Sequence, residues 1–191
     1  MTLTQLLPKL RSFSKIVVTG PQRSGTTIAA KILAAELQYH IVLEEVFKEH
    51  DLYLFFEVFL RHSLCVVQAP ALSSIVHFLK GHNIAVVFMQ RRLADVRASE
   101  KRIGWLEKHE RVEKRKYFEG NSKVPVSALK LRRWEKFQSP ELGRCAFELE
   151  YESLRSSPLW LDRKYRCGFG PRQTALDSAL TDGACNVLPS K

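Results

Sequence analysis

Lys15-Ile-Val-Val-Thr-Gly20-Pro-Gln-Arg-Ser-Gly-Thr-Thr27 is the stretch on which the fold turns. Its first five residues form a β-branched run that stops at Gly20, the pattern of a short strand buried on both faces. From Thr26 to Leu37, Ala, Ile and Leu recur at helical spacing. The loop between them therefore joins a strand end to a helix start. There, backbone N–H groups and the helix N-terminus can face one anion together. The alternative is a plain Gly/Thr-rich turn that caps a helix. Strand, loop and helix all agree with the phosphate-loop reading.

The alternation continues outward. His40–Leu43, Leu64–Val67 and Ile84–Met89 read as further apolar strands, and Ala146–Tyr151 as a half-exposed one. Helices are expected over Leu52–His62, with Asp51 as N-cap, and over Ser73–Leu79, ending at Gly81. Two more are expected over Leu93 to about Phe118, broken near Gly104, and over Ser127–Gln138. Strands alternating with helices predict an α/β fold: a parallel β-sheet of about five strands with helices on both faces, in P-loop NTPase-like topology. Ligand-binding residues should follow the carboxyl ends of the strands.

The 191 residues fit one domain, expected over 1–176, with a small polar tail at 177–191. Apolar residues make up 45% and charged residues 26%, which argues for a packed core and against disorder. Lys and Arg number 30 against 20 Asp and Glu, a net charge of +10 that points to an anionic partner. Residues 91–136 carry most of it, with 15 basic and 7 acidic groups. No apolar run approaches the roughly 18–20 residues of a membrane span, and the N-terminus lacks an apolar signal core. Cys65, Cys145, Cys167 and Cys185 are scattered, which predicts free thiols in a reducing compartment, a cytoplasmic location and no zinc site.

Two departures from the Walker frame shape the chemistry. Thr26 stands where nucleotide hydrolases and kinases carry Lys, and the loop's cation is Arg23 instead. The strands that should end in a magnesium-binding acid end in Gln68 and in Gln90-Arg91. Such a loop is poorly equipped to transfer a phosphoryl group. It remains a good cradle for a phosphate that stays in place.

Pro21-Gln-Arg-Ser-Gly-Thr-Thr27 resembles the 5′-phosphosulfate loop of sulfotransferases, P-x-(K/R)-S-G-T-T. Arg91-Arg-Leu-Ala-Asp95-Val-Arg-Ala-Ser99, directly after a strand, resembles that family's second motif, R-x-x-x-D-x-x-x-S. The resemblance implies 3′-phosphoadenosine 5′-phosphosulfate as donor, a hydroxyl or amine acceptor and no metal. It assigns Arg23, Ser24, Gly25, Thr26 and Thr27 to the donor's 5′ end, and Arg91 and Ser99 to its 3′-phosphate. Asp95 would orient the arginines. A weaker echo, Tyr151-Glu-Ser-Leu154 to Pro158, is similar to the element that ends the family's core and implies a structural role. Arg166-Cys-Gly168 stands where the cytosolic branch closes a loop over the 3′-phosphate, a partial match because Cys167 replaces Lys.

Sulfuryl transfer needs a cation at the departing oxygen and a base for the acceptor. Arg23 is the candidate cation. Gln68 stands where the cytosolic branch has its catalytic His; it can hydrogen-bond an acceptor but not take its proton. Glu45, then Glu44, are the candidate bases because they follow the second strand at the ligand edge, with His50-Asp51 just beyond. Two solvated loop carboxylates are the competing reading. The basic segment interleaves its signs, as a solvated helix with i,i+4 pairs does. Trp105, Tyr117 and Trp134 within it suit core anchors better than base-stacking platforms. Two other functions remain open: a P-loop nucleotide or small-molecule kinase, and a non-catalytic P-loop or polyanion-binding module. Nucleic acid is not favoured, since no recognised binding motif is present.

Overall fold

The computed structural model describes residues 1–47, 52–79, 83–105, 108–137 and 143–160. Five strands form one sheet: β1 (Lys15–Thr19), β2 (His40–Val42), β3 (Cys65–Gln68), β4 (Ile84–Gln90) and β5 (Ala146–Glu150), in the order β2-β3-β1-β4-β5. Every pairing is parallel. The expected strand runs are therefore all present, in the expected architecture. The parallel register brings the carboxyl ends of β1, β3 and β4 to one edge, with Val18 opposite Gln68 and Thr19 opposite Phe88.

Alternate residues of each strand face opposite sides of the sheet. Ile16, Val18, Val66, Val87 and Met89 face one side, where α1 (Leu3–Leu10) and α2 (Thr26–Leu37) cover them. Val17, Val67, Val86 and Phe88 face the other, against Phe47, Trp134 of α6 (Val126–Phe137), and Phe55 and Phe59 of α3 (Leu52–Arg61). Both faces are dry because the central residues of β1, β3 and β4 are apolar and buried, at about 1.5–3 kcal/mol for each large side chain buried.

Helix α1 is absent from the elements expected above. Leu3, Leu6 and Leu10 are buried at helical spacing, but the run is short and Pro8 interrupts its pattern. The helix expected over 73–79 is instead two 3₁₀ turns, Pro70–Leu72 and Val76–Leu79. Pro70 starts the first, and the buried Ser73 hydroxyl after it pairs with the Tyr117 hydroxyl at 2.7 Å. The long charged stretch is two helices, α4 (Leu93–Arg102) and α5 (Lys108–Lys116), parted at Gly104, whose φ of 68° ends α4. Asp51, Gly81 and the tail at 177–191 lie outside the described residues. Trp134 and Tyr117 are core anchors, Trp134 stacked on Phe88 with ring centroids 4.6 Å apart. Charge pairs such as Lys114 with Glu110, at 3.6 Å, lace α5 as the interleaved signs predict.

Candidate functional site

The loop from Gly20 to Thr27 turns at the carboxyl end of β1 and enters α2. Three of its residues have positive φ: Gly20 at 135°, Arg23 at 67° and Gly25 at 97°. A Cβ on Gly25 would lie 2.4 Å from Cδ2 of Tyr151, so only glycine fits between loop and ring. Arg23, a non-glycine in the left-handed region, is held there at a cost of about 1 kcal/mol or more. The Ser24 hydroxyl donates to the Pro21 carbonyl at 2.6 Å, bracing the loop from within. Thr26 is buried at the helix start and accepts from Gln68 Nε2 at 3.4 Å, whereas Thr27 is exposed.

The second motif meets this loop. Arg91 Nη1 donates to the Arg23 carbonyl at 2.8 Å, and its guanidinium lies 4.3 Å above the Tyr151 ring. Arg91 Nε is buried and meets no acceptor among the described residues. Arg23 Nε and Arg102 Nη2 each donate to Ser99 Oγ at 3.2 Å. These bonds all end on neutral acceptors, Arg91 on the loop backbone and Arg23 and Arg102 on Ser99 of α4, while Asp95 is the carboxylate that feels the Arg91 charge. Asp95, expected to orient the arginines, takes Arg92 instead, at 2.8 and 3.2 Å. That hydrogen bond holds the half-buried Asp95 carboxyl below the usual aspartate range. Arg91 turns the other way, onto the loop.

Two expected site residues meet across the edge between β2 and β3. Gln68 Oε1 accepts from the Glu44 backbone N–H at 3.0 Å, while its amide reaches Thr26. Glu44 lies in a 3₁₀ turn after β2, and its carboxylate accepts from Ala71 N–H at 2.7 Å. Glu45, the first-ranked base, is exposed on that turn. Arg166, Gly168 and His50 lie outside the described residues.

Sequence reasoning missed Lys130. It projects from α6 and is fully buried; its ammonium donates to the Pro70 carbonyl at 2.8 Å and to the Gln22 side chain of the loop. Glu113 Oε2 of α5 lies 3.5 Å away. Burial pushes the Lys130 ammonium down to about 8, against the pull of Glu113 and Glu44. The signal was on the helix: Lys130 occupies the apolar stripe of Val126, Leu129 and Trp134, where a solvated Lys does not belong. Tyr151, read as structural, backs the loop and stacks under Arg91.

Among the described residues, no group of three His, Cys, Asp or Glu gathers to hold a metal ion. Among them too, no helix is long and apolar enough to cross a membrane. The chain matches no known protein family and no curated protein. Among solved structures it is similar to shikimate kinase from Acinetobacter baumannii in complex with shikimate. That likeness has a TM-score of 0.43 and 16% identity, and covers 75% of this chain and 86% of the other.

Proposed function

We propose that this chain is a P-loop transferase whose donor is a nucleotide carrying phosphates at both ends of its ribose, and that the group it moves is sulfuryl. One observation carries the reading: Arg91 bonds the loop backbone at Arg23, while Arg23 bonds Ser99. The loop and the start of α4 thus form one cationic surface, with the buried Arg91 Nε as a donor in want of an acceptor. In this reading the loop amides and the start of α2 hold the 5′-phosphate, and Arg91, Ser99 and Arg102 hold the 3′-phosphate. Thr26 in the place of the Walker Lys, and Gln68 and Gln90 in the place of a magnesium acid, favour a phosphate that stays bound.

The step is an in-line displacement at sulfur. The acceptor oxygen or nitrogen bonds to sulfur, and the bond from sulfur to the bridging phosphate oxygen breaks. The acceptor's proton passes to a carboxylate, and the departing charge is stabilised by a loop cation. Glu44 supports the base role better than Glu45, because its backbone N–H ties it to Gln68 beside Thr26 and its carboxylate stays at the turn after β3, whereas Glu45 is exposed. The test is a titration with adenosine 3′,5′-bisphosphate without metal. Saturable binding in the micromolar range is the expected result; no binding at millimolar concentration rejects the reading.

A kinase is the second reading, and Lys130 favours it. Its ammonium reaches the loop at Gln22 from behind, bringing a lysine charge to a loop that lacks its own. A kinase would bind ADP with Mg²⁺ more tightly than the bisphosphate, and the same titration separates the two.

A further inference from the structure

We propose that Lys130 is a positioning residue for the anion-binding loop: from α6, its ammonium clamps the Gln22 side chain to the Pro70 carbonyl and so fixes the loop to the turn after β3. The inference deepens the transferase reading and rests on it for its functional meaning, though not for its geometry.

The geometry is specific. Gln22 sits in the outer half of the loop, between Pro21 and the left-handed Arg23. Pro70 opens the turn after β3, two residues beyond Gln68. A single buried ammonium bonds both. A lysine has three donors, and a buried one must spend them on acceptors. Here they tie Gln22 to the turn after β3, beyond the last bonds between the strand ends, from Ala69 N–H to the Val18 carbonyl and from the Thr19 hydroxyl to the Ala69 carbonyl. The same charge lies behind the loop, where low polarity lets it act on a bound anion with little screening. The charged groups facing it are Glu113 and Lys116 of α5 and Glu44 after β2. Burial outweighs the two carboxylates and pushes the ammonium down to about 8, so in mildly alkaline solution the two bonds lose their charge assistance and the clamp weakens.

The experiment is amide hydrogen exchange of loop peptides spanning Gly20–Thr27 in the whole protein, corrected for intrinsic rate. Lys130→Met and Gln22→Ala should each speed loop exchange by about five- to tenfold, the loss of one charge-assisted hydrogen bond. Gln22→Glu keeps an acceptor for the ammonium and should keep wild-type protection. The wild type should lose loop protection above pH about 8, and Gln22→Ala should show no such step. Gln22 is at the surface side of the bond, so its variants remain readable if Lys130→Met does not fold. Loop exchange in Gln22→Ala within twofold of wild type overturns the proposal and leaves Lys130 as a core residue alone. Bisphosphate binding is measured separately. Its failure rejects the transferase reading while the loop result stands.

Discussion

Arg23 Nε donates to Ser99 Oγ at 3.2 Å across 76 residues of sequence. This bond joins the loop after β1 to the middle of α4, and with them the two motifs that the sequence presents separately. It also places the Arg23 side chain. A loop cation expected beside the departing oxygen leans in this structure toward the α4 side, where Arg91 and Arg102 already gather. Two guanidinium groups, of Arg23 and Arg102, share one hydroxyl and repel one another, and an anion bound between them relieves that repulsion.

Arg91→Ala should weaken adenosine 3′,5′-bisphosphate binding by about 10- to 100-fold, the range for one charged hydrogen-bonding group. It also removes the bond to the Arg23 carbonyl and the stack on Tyr151. Calorimetric titration measures it. Equal affinity in variant and wild type removes Arg91 from the site.

Gly25→Ala should abolish anion binding. Its Cβ meets Tyr151 at 2.4 Å, and its φ of 97° strains any side chain. These are separable. In the double variant with Tyr151→Ala the clash is gone but the strain, about 1–2 kcal/mol, persists. Partial recovery of folding stability in the double variant, read by denaturant titration, is the expected pattern. Full recovery would mean that the left-handed backbone costs nothing.

Stability should rise with pH through Lys130. The folded protein gives up the Lys130 proton at about 8, against 10.5 for an ordinary lysine. Between these values the unfolded chain binds more protons, so raising the pH favours the folded state. The stability difference between wild type and Lys130→Met should shift toward wild type across this window. A pH-independent difference contradicts the burial of a charged Lys130. The alkaline fold is thus firmer while its anion loop is looser, two opposed trends from one proton.

Arg97→Ala should destabilise the protein by about 1–2 kcal/mol, a modest figure because Arg97 is 41% exposed and screened. Arg97 Nη1 reaches Glu100 of α4 at 2.8 Å and Glu110 of α5 at 2.6 Å. Glu100 is buried, and that burial raises its carboxyl above the usual range. Without Arg97 it loses its cation. Chemical denaturation measures the change; no loss would show that the pair contributes nothing.

The sheet was legible because its inner strands β1, β3 and β4 are short, mostly apolar and closed by Gly or Gln, and the half-exposed last strand alternates, so period and burial speak together. The loop was legible because its positive-φ positions are marked by Gly20 and Gly25. What remained hidden depends on meetings between distant segments. No local pattern could join Glu44 to Gln68 or turn Arg91 toward the loop, although Asp95 with Arg92 is an i,i+3 pair that the helix itself offers. The 3₁₀ turns after β3 look helical in sequence because apolar spacing does not distinguish three residues per turn from 3.6 over so short a run. Lys130 was visible as a charge on an apolar stripe. Its meaning depended on Pro70 and Gln22, which only the fold places beside it.

The ammonium of Met1 pairs with Glu150 at 3.1 Å, the Glu150 N–H donates to the Met1 carbonyl, and Leu3 N–H donates to Ser153 Oγ. Helix α1 thus leans on the last strand of the sheet. Its three buried leucines share one cluster with early residues such as Ile16 and Leu33, but also with Leu149 and Leu154, which are made more than a hundred residues later. Until β5 and the turn after it are made, the part of that face that docks on them lacks its cover. The order of translation and the order of docking run opposite ways in this chain.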